Sequence, residues 1–194
     1  MLRRIETRKE RRKKFWMGTL LVFIMTFGIM GILIGSRGGE RWEYNGYKFI
    51  REENIFVTKI NNQKKGFNFL PQTLLTINTS PNLKNKILSP MMYLTFDPET
   101  DMQNLLYIDT VRNDLQTTLN SVIVSAVTKK SEIYFLPTIS CENATLFVPV
   151  IYFNVSNQTS IVDKNNCIVL NGQTIDFFKI RDLLVYTYYG VING

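Results

Sequence analysis

The expected fold follows from one short stretch, Phe147-Val148-Pro149-Val150-Ile151-Tyr152-Phe153, which is apolar almost throughout. Two further runs have the same character, Met91–Phe96 and Val122–Val127. Near-continuous apolar runs of this length are typical of strands that are covered on both faces. The sequence therefore predicts a buried sheet in the second half of the chain, with helices packed against it.

Two segments next to these runs have helical spacing. Between the first two runs, apolar residues recur at intervals of three, four and four: Ile108, Val111, Leu115 and Leu119. The start of this helix is open, because residues 105–108 (LLYI) could equally form a short strand. A second helix is predicted from Thr174, with Gly190 as its stop signal. Its apolar stripe consists of Phe177, Ile180, Leu184 and Tyr188.

Antiparallel hairpins are predicted ahead of this sheet. The pair Asn45-Gly46 lies between aromatic residues in the stretch 42–49 (WEYNGYKF), and such a pair is a strong hairpin signal. A second hairpin is predicted with arms at 55–60 and 67–70, joined by the polar loop 61–66. Residues 42–194 contain no repeat and no second linker. We therefore expect one α/β domain, with a mixed sheet, covering helices and an antiparallel hairpin region.

Residues 15–35 (FWMGTLLVFIMTFGIMGILIG) carry no charge, and their polar side chains are limited to Thr19 and Thr26. As a helix this run would be about 31 Å long, close to the bilayer hydrocarbon thickness of about 30 Å. The sequence therefore predicts one transmembrane helix, followed by a linker at 36–41. A buried core helix and a cleaved signal peptide are the alternatives. The run is longer than either usually is, and it lacks a small-x-small cleavage pattern.

Charge is concentrated at the amino-terminal end of the 194-residue chain, which has 23 Lys plus Arg, 16 Asp plus Glu and a net charge of +7. Residues 1–14 hold eight basic and two acidic side chains, so the other 180 residues carry only +1 (7 − 6). Lys and Arg resist translocation, which predicts a cell-membrane protein with a cytoplasmic tail and with residues 42–194 outside. The tail could also attract nucleic acid, but no nucleic-acid-binding signature accompanies it. The expected partner is the lipid bilayer.

Three small residues, Gly28, Gly31 and Gly35, lie three and four positions apart in the predicted membrane helix. Such a face lets two helices approach closely in lipid, so a homodimer through this helix is one interpretation. Glycines that merely face lipid are the alternative, because this spacing is common in apolar segments.

Cys141 and Cys167 are the only cysteines, and both fall in the predicted outer domain. An oxidising compartment favours a disulfide between them. Two buried free thiols and one reactive thiol are the alternatives. A reactive thiol needs a base or cation nearby, and the chain has no His to serve as one.

Catalytic and metal-binding signals are sparse. The absence of His excludes Ser-His-Asp and Cys-His catalysis and His-containing zinc sites. No phosphate loop, dinucleotide-binding pattern or Gly-x-Ser-x-Gly elbow is present, so no catalytic residue is assigned and no cofactor is expected. The stretch 97–101 (DPETD) has alternating carboxylates, like a short metal-binding loop. A helix start with Asp97 as cap and Pro98 as the first helical residue explains it without a metal.

Asn-x-Ser/Thr patterns occur at Asn78, Asn143, Asn154 and Asn157, and four is close to the number that chance predicts for this composition. Pro81 counts against the first pattern. Asn143, Asn154 and Asn157 remain candidates for glycosylation, although Asn143 could equally belong to a buried structural turn.

Four short stretches carry a resemblance to a protein family: 141–145 (CENAT), 149–151 (PVI), 166–168 (NCI) and 181–186 (RDLLVY). In these stretches the chain resembles uncharacterised single-pass membrane proteins predicted in small-genome archaea. The resemblance covers mainly residues 42–192. It implies an archaeal cell membrane, and it transfers no activity and no catalytic residue.

These features favour a membrane-anchored protein whose outer domain binds or scaffolds another surface protein or envelope component. A tethered hydrolase or thiol enzyme is the first alternative. A pilin-like subunit is the second, because pilins also combine a basic leader with an apolar amino-terminal helix. No clear leader-cleavage site precedes the apolar run in this chain.

Overall fold

The computed structural model of the chain describes residues 8–35 and 40–192. The chain divides into two compact units, Met1–Glu40 and Arg41–Gly194. The first seven residues of the predicted tail and residues 36–39 of the predicted linker lie outside the described residues. Strand β1 already begins at Arg41, the last residue of the predicted linker.

The first unit contains one helix, α1 (Arg8–Gly35), which includes the second half of the predicted tail and the whole uncharged run. Side chains are described at residues 12, 13 and 15–28, and all of them are exposed. The two Thr hydroxyls donate to backbone carbonyls one turn earlier, Thr19 to Phe15 and Thr26 to Val22. Among the described residues, no helix combines the length and the apolar character that crossing a membrane requires.

The second unit begins with a four-stranded antiparallel sheet in the order β1-β2-β3-β4. Its strands are β1 (Arg41–Tyr44), β2 (Tyr47–Glu52), β3 (Ile55–Ile60) and β4 (Gln63–Phe67). The predicted Asn45-Gly46 turn is confirmed: both residues have positive φ, 48° and 80°, as the two-residue hairpin turn requires.

The return arm of the second hairpin differs from the prediction. Strand β4 starts at Gln63, four residues before the predicted position, and pairs Ile60 with Gln63. Asn61 and Asn62 both adopt positive φ, 51° and 64°, so the turn needs only these two residues. Residues 63–66, predicted as part of the loop, therefore belong to strand β4. Their polar character fits this position, because β4 is an edge strand of a sheet that can face water on one side.

The second sheet has five strands in the order β6-β5-β7-β9-β8. They are β5 (Met91–Phe96), β6 (Val122–Val127), β7 (Val150–Val155), β8 (Ser160–Lys164) and β9 (Cys167–Gly172). All neighbours are parallel except β8 and β9, which form an antiparallel pair. The three apolar runs supply β5, β6 and β7, but β7 starts three residues later than its run because Phe147 is exposed ahead of Pro149.

Four α-helices complete the described part of the second unit: α2 (Pro71–Leu74), α3 (Leu83–Ile87), α4 (Met102–Thr118) and α5 (Asp176–Tyr188). Residues 105–108 are helical in α4 and do not form a short strand. Gly190 ends α5 with φ of 72°, and the Val191 and Gly190 amides donate to the carbonyls of Tyr186 and Thr187. This bonding pattern is a Schellman cap and confirms the predicted stop signal.

Helix α5 lies in the common core of the two sheets. Tyr186 stacks on Phe67 of β4 with ring centroids 4.1 Å apart and meets Phe49 of β2 edge to face at 5.9 Å. The helix also packs against α4, α3 and β9. Residues 182–187 are all buried, so the second half of α5 is covered all round, whereas its first half keeps partly exposed residues beside the buried Phe177 and Ile180.

The two faces of the five-stranded sheet are covered differently. One face carries Leu94 and Phe96 of β5 and Ile151 of β7 into the core formed with α4 and α5. Contrary to the expectation, no α-helix among residues 40–192 covers the other face. Its buried residues Val150, Cys167 and Val169 pack instead under residues 128–149, the crossover segment, which connects β6 to β7.

Asp182 joins α5 to the four-stranded sheet. Its carboxylate accepts hydrogen bonds from the backbone amides of Asn68 (2.7 Å) and Phe69 (2.9 Å), directly after β4. Arg181 Nη1 lies 2.6 Å from the same carboxylate, and its Nη2 lies 2.5 Å from Asp114 on α4. Burial raises the pKa of Asp182 to about 6, against the opposing effect of Arg181 and of the two amides.

Candidate binding surface

A disulfide between Cys141 and Cys167 holds the crossover segment to the sheet. Cys141 begins a short 3-10 helix (Cys141–Asn143), and Cys167 is the first residue of β9, with Cα atoms 5.2 Å apart. The predicted pairing is therefore confirmed, and no free cysteine remains. Closing a loop with a sequence separation of 26 stabilises the fold by about 3.5 kcal/mol in the chain-entropy model.

Backbone hydrogen bonds fix the middle of the crossover segment. The Ile139 amide donates to Val127 O at 2.9 Å, and the Val127 amide donates to Pro137 O at 3.0 Å. The Thr95 hydroxyl of β5 donates to Ile139 O at 2.7 Å. Ile139 and Cys141 then pack on the apolar face of β7 and β9. The segment thus lies across the sheet in one defined path, although it contains almost no regular structure.

Tyr134 attaches the first part of the crossover segment to α4. Its hydroxyl donates to Asp109 Oδ2 at 2.9 Å, and its ring meets Phe96 edge to face at 4.9 Å. Arg112 binds the other oxygen of Asp109 at 2.7 Å and stacks its guanidinium 4.7 Å from the centre of the Phe96 ring. Burial and the neighbouring Asp109 carboxylate raise the pKa of Tyr134, so its hydroxyl stays a hydrogen-bond donor at neutral pH.

The crossover segment exposes large apolar side chains at two places. Ile133 and Phe135, on either side of the anchored Tyr134, are 75% and 95% exposed. Leu146 and Phe147 are 75% and 79% exposed at the tip of a turn. That turn is closed at both ends, because the Thr145 amide donates to Val148 O and the Val148 amide donates to the Thr145 hydroxyl, each at 3.0 Å. Apolar side chains are therefore held in water by a well-supported backbone.

The acidic stretch after β5 forms a turn and a helix cap. The predicted helix cap is present, but its position is wrong: the N-cap residue of α4 is Asp101 and not Asp97. Asp101 accepts from the Asn104 backbone amide at 3.0 Å and from its side-chain amide at 2.7 Å, and these bonds lower the pKa of Asp101. Asn104 Oδ1 in turn accepts from the Thr174 amide at 2.7 Å, which ties the start of α4 to the loop before α5.

Lys129, two residues after the end of β6, lies between the remaining two carboxylates of this stretch. Its ammonium is 3.2 Å from Asp97 Oδ1 and also pairs with Glu99. The hydrogen bond to Glu99 is the main cause that raises the pKa of Lys129. A cation of the protein itself thus pairs with both carboxylates. In the part of the chain that the structure describes, no three His, Cys, Asp or Glu residues are grouped to hold a metal ion.

The predicted glycosylation residues lie in different surroundings. Asn157 is exposed in the turn between β7 and β8, and Asn143 is exposed in the 3-10 helix, where its side-chain oxygen accepts from the Ser140 amide at 2.8 Å. Asn154 is half-buried in β7, and its amide donates to Asn171 Oδ1 at 2.7 Å. The glycosylation of all three stays a prediction.

The predicted helix-dimer face lies mostly outside the described side chains. At Gly28, an added Cβ would meet no described atom within 4 Å. The surroundings of Gly31 and Gly35 lie outside the described residues, so the homodimer also stays a prediction.

No protein-family model matches the chain. Neither a curated protein nor a solved structure is significantly similar to it.

The residues that attach the crossover segment were not found from the sequence. Tyr134 and Asp109 are 25 positions apart, and neither belongs to a recognisable motif. One local signal was available: Asp109 and Arg112 have the i,i+3 spacing of a helical ion pair. The exposure of Leu146 and Phe147 also carried no signal, because they continue the apolar run that was read as a buried strand.

Proposed function

We propose that the chain is a single-pass membrane protein whose second unit lies outside the cell and binds another surface protein through the crossover segment. The anchor is supported by the uncharged run 15–35 and by the basic residues 8–14 on its amino-terminal side. The resemblance to single-pass membrane proteins of small-genome archaea agrees with this arrangement. The disulfide agrees with an oxidising compartment.

The observation that carries the binding proposal is the exposure of Ile133, Phe135, Leu146 and Phe147 on a backbone that is held in place. Large apolar side chains that are exposed on a hydrogen-bonded backbone are typical of contact residues in protein interfaces, because the cost of ordering that backbone is already met. Helix α4, to which Tyr134 attaches, also exposes Met102 and Leu106, and these could extend the contact.

The four exposed side chains could supply part of the free energy of a specific complex. Burying one such side chain contributes about 1.5–3 kcal/mol, so four contribute roughly 6–12 kcal/mol. Association itself costs roughly 4–15 kcal/mol. The four side chains alone would thus only balance that cost, and a stable complex would need polar contacts or the additional apolar residues of α4.

Site-specific photo-crosslinking in the native host tests this proposal. The full chain would carry p-benzoylphenylalanine in place of Phe135 or Phe147, with Leu88, an exposed residue at the end of α3, as the matched control. We expect both segment positions to give an adduct of one defined mass and the control to give none. Adducts with lipid only, or equal adducts at the control position, would contradict the proposal. An adduct of twice the chain mass would assign the segment to self-association instead.

A further inference from the structure

The solvent-facing side of the four-stranded sheet carries a row of lysines. Lys59 of β3 pairs with Lys64 of β4, and the β2–β3 register, continued by two residues, sets Lys48 opposite Lys59. Three neighbouring strands therefore place like charges directly opposite one another. Such an arrangement destabilises a sheet, so it is a cost that the fold carries.

These lysines are only partly neutralised within the protein. Lys64 lies 3.1 Å from Glu52, and both side chains are about half or more exposed. Glu43 stands opposite Lys48 in the β1–β2 register without forming an ion pair with it. Within residues 40–192, no carboxylate lies at ion-pair distance from Lys48 or Lys59. The basic sheet face, defined as Arg41, Lys48, Lys59 and Lys64, thus keeps a positive field.

Apolar side chains lie between these cations. A groove of about 440 Å³ is lined by Ile50 and Val57, by Lys48, Lys59 and Lys64, and by one carboxylate, Glu52. A second groove of about 430 Å³, lined by Arg41, Trp42 and Glu43, shares Lys48 and Ile50 with the first, so the two grooves adjoin. Cations outnumber carboxylates in both linings. Cations around an apolar floor fit a ligand that is itself amphiphilic, with anionic groups above hydrocarbon.

We propose that the basic sheet face lies against anionic lipid headgroups of the membrane in which the chain is anchored; this inference rests on the anchor of the proposed function. Charge complementarity favours lipid phosphates, and the apolar floor favours a lipid surface over a purely polar acidic peptide. The covalent chain agrees: Arg41 follows the end of the uncharged run by six residues, which extended would reach about 20 Å.

Lysine footprinting of the full chain in lipid nanodiscs tests the inference. One set of discs would contain only phosphatidylcholine, and the other would contain about 30% phosphatidylglycerol, whose charge attracts basic residues. The lysines would be acetylated with an uncharged, amine-reactive reagent, and mass spectrometry would measure the acetylation rate of each lysine. Lys130, an exposed lysine of the crossover segment, is the internal control. Co-elution of the chain with the discs reports on insertion separately from lysine protection.

We expect Lys48 and Lys59 to be acetylated about fivefold more slowly in the anionic discs, with the difference lost in high salt and Lys130 unchanged. In the variant Lys48→Gln/Lys59→Gln the labelling of Lys64 should lose its dependence on lipid charge, whereas Lys130→Gln should keep it. Equal rates in both discs, with the chain inserted, would overturn this inference alone. Failure to insert would overturn the anchor and the inference together. Polyglutamate added to neutral discs could instead slow the acetylation of Lys48 and Lys59 as much as anionic lipid does. That result would overturn the inference and assign the face to an acidic protein.

Discussion

Asp182 illustrates how much of this structure depends on single polar residues in the core. Its carboxylate is fully buried on α5. It accepts hydrogen bonds from the two backbone amides that follow β4, and it forms an ion pair with Arg181. Tyr186, one turn later, donates its hydroxyl to Phe69 O at 2.8 Å. Two side chains of α5 therefore form hydrogen bonds with the backbone groups directly after β4. These bonds hold the four-stranded sheet against the helix.

The pH dependence of stability should report on Asp182. Its pKa is about 6 in the folded chain against 3.8 for the free carboxyl group, so the folded state binds the proton more tightly. The contribution of this group to the free energy of unfolding is therefore greatest below about pH 4 and falls as the pH rises to about 6. We expect Asp182→Asn to lower the free energy of unfolding by roughly 1–3 kcal/mol at pH 7.

Denaturant unfolding of the full chain in mild detergent at several pH values measures this effect. The advantage of the wild type over Asp182→Asn should be larger near pH 4.5 than near pH 7. Glu142→Gln, an exposed change of the same chemistry, should follow the wild type at every pH. A wild-type advantage that does not vary with pH would contradict the raised pKa of Asp182.

At the scale of elements, the crossover segment takes the place that a helix often takes between parallel strands. Long connections without regular structure are uncommon in compact domains and are usually functional. This one is held by three separate devices: the Tyr134–Asp109 bond, the backbone pairing at Val127 and the disulfide at Cys141. Of the exposed side chains of the proposed binding surface, Ile133 and Phe135 flank the Tyr134 attachment, and Leu146 and Phe147 follow the disulfide, ahead of β7.

Removing the disulfide should loosen this segment more than it loosens the helical core. We expect Cys141→Ser/Cys167→Ser to lower the free energy of unfolding by about 3.5 kcal/mol, the loop-closure value for a separation of 26. Limited proteolysis should cut within residues 128–149 first, because its remaining attachments are a few hydrogen bonds.

Peptide mapping of the early fragments measures this, and Ser125→Ala serves as the control. That change removes the 2.7 Å bond to Gln116 on the helix-covered face of the sheet and leaves the disulfide intact. If the double variant is cut first outside residues 128–149, the prediction is wrong. The other attachments would then hold the crossover segment without the disulfide.

At the scale of the whole molecule, the uneven charge distribution predicts orientation. The basic tail should remain in the cytoplasm, and the second unit, which is nearly neutral, should be translocated. Protease added to intact cells should then degrade residues 41–194 and leave the tail, while inverted vesicles should show the reverse. Substituting Arg8, Lys9, Arg11 and Arg12 by Gln should increase the fraction of inverted chains. A second unit that resists protease in intact cells but not in inverted vesicles would contradict the orientation.

The sequence predicted most elements correctly, because their signals are local. Asn45-Gly46 favours positive φ by its own chemistry, and the three apolar runs supply β5, β6 and β7, although β6 is an edge strand with Val122 exposed. The predictions were wrong where one local sequence pattern is compatible with two different structures. Asn61-Asn62 made a two-residue turn where a loop was expected, and Leu146-Phe147 continued an apolar run without joining its strand.

The mixed α/β class, the antiparallel region and the asymmetry of charge can be read from the sequence alone. Each follows from periodicity or from composition. The structure was needed to show that the two cysteines are bonded, which side chains cover the second face of the sheet, that Asp182 meets the end of β4, and that Lys48, Lys59 and Lys64 lie in one row. These contacts join residues distant in sequence, and their positions depend on the packing of several elements together, which no local pattern encodes.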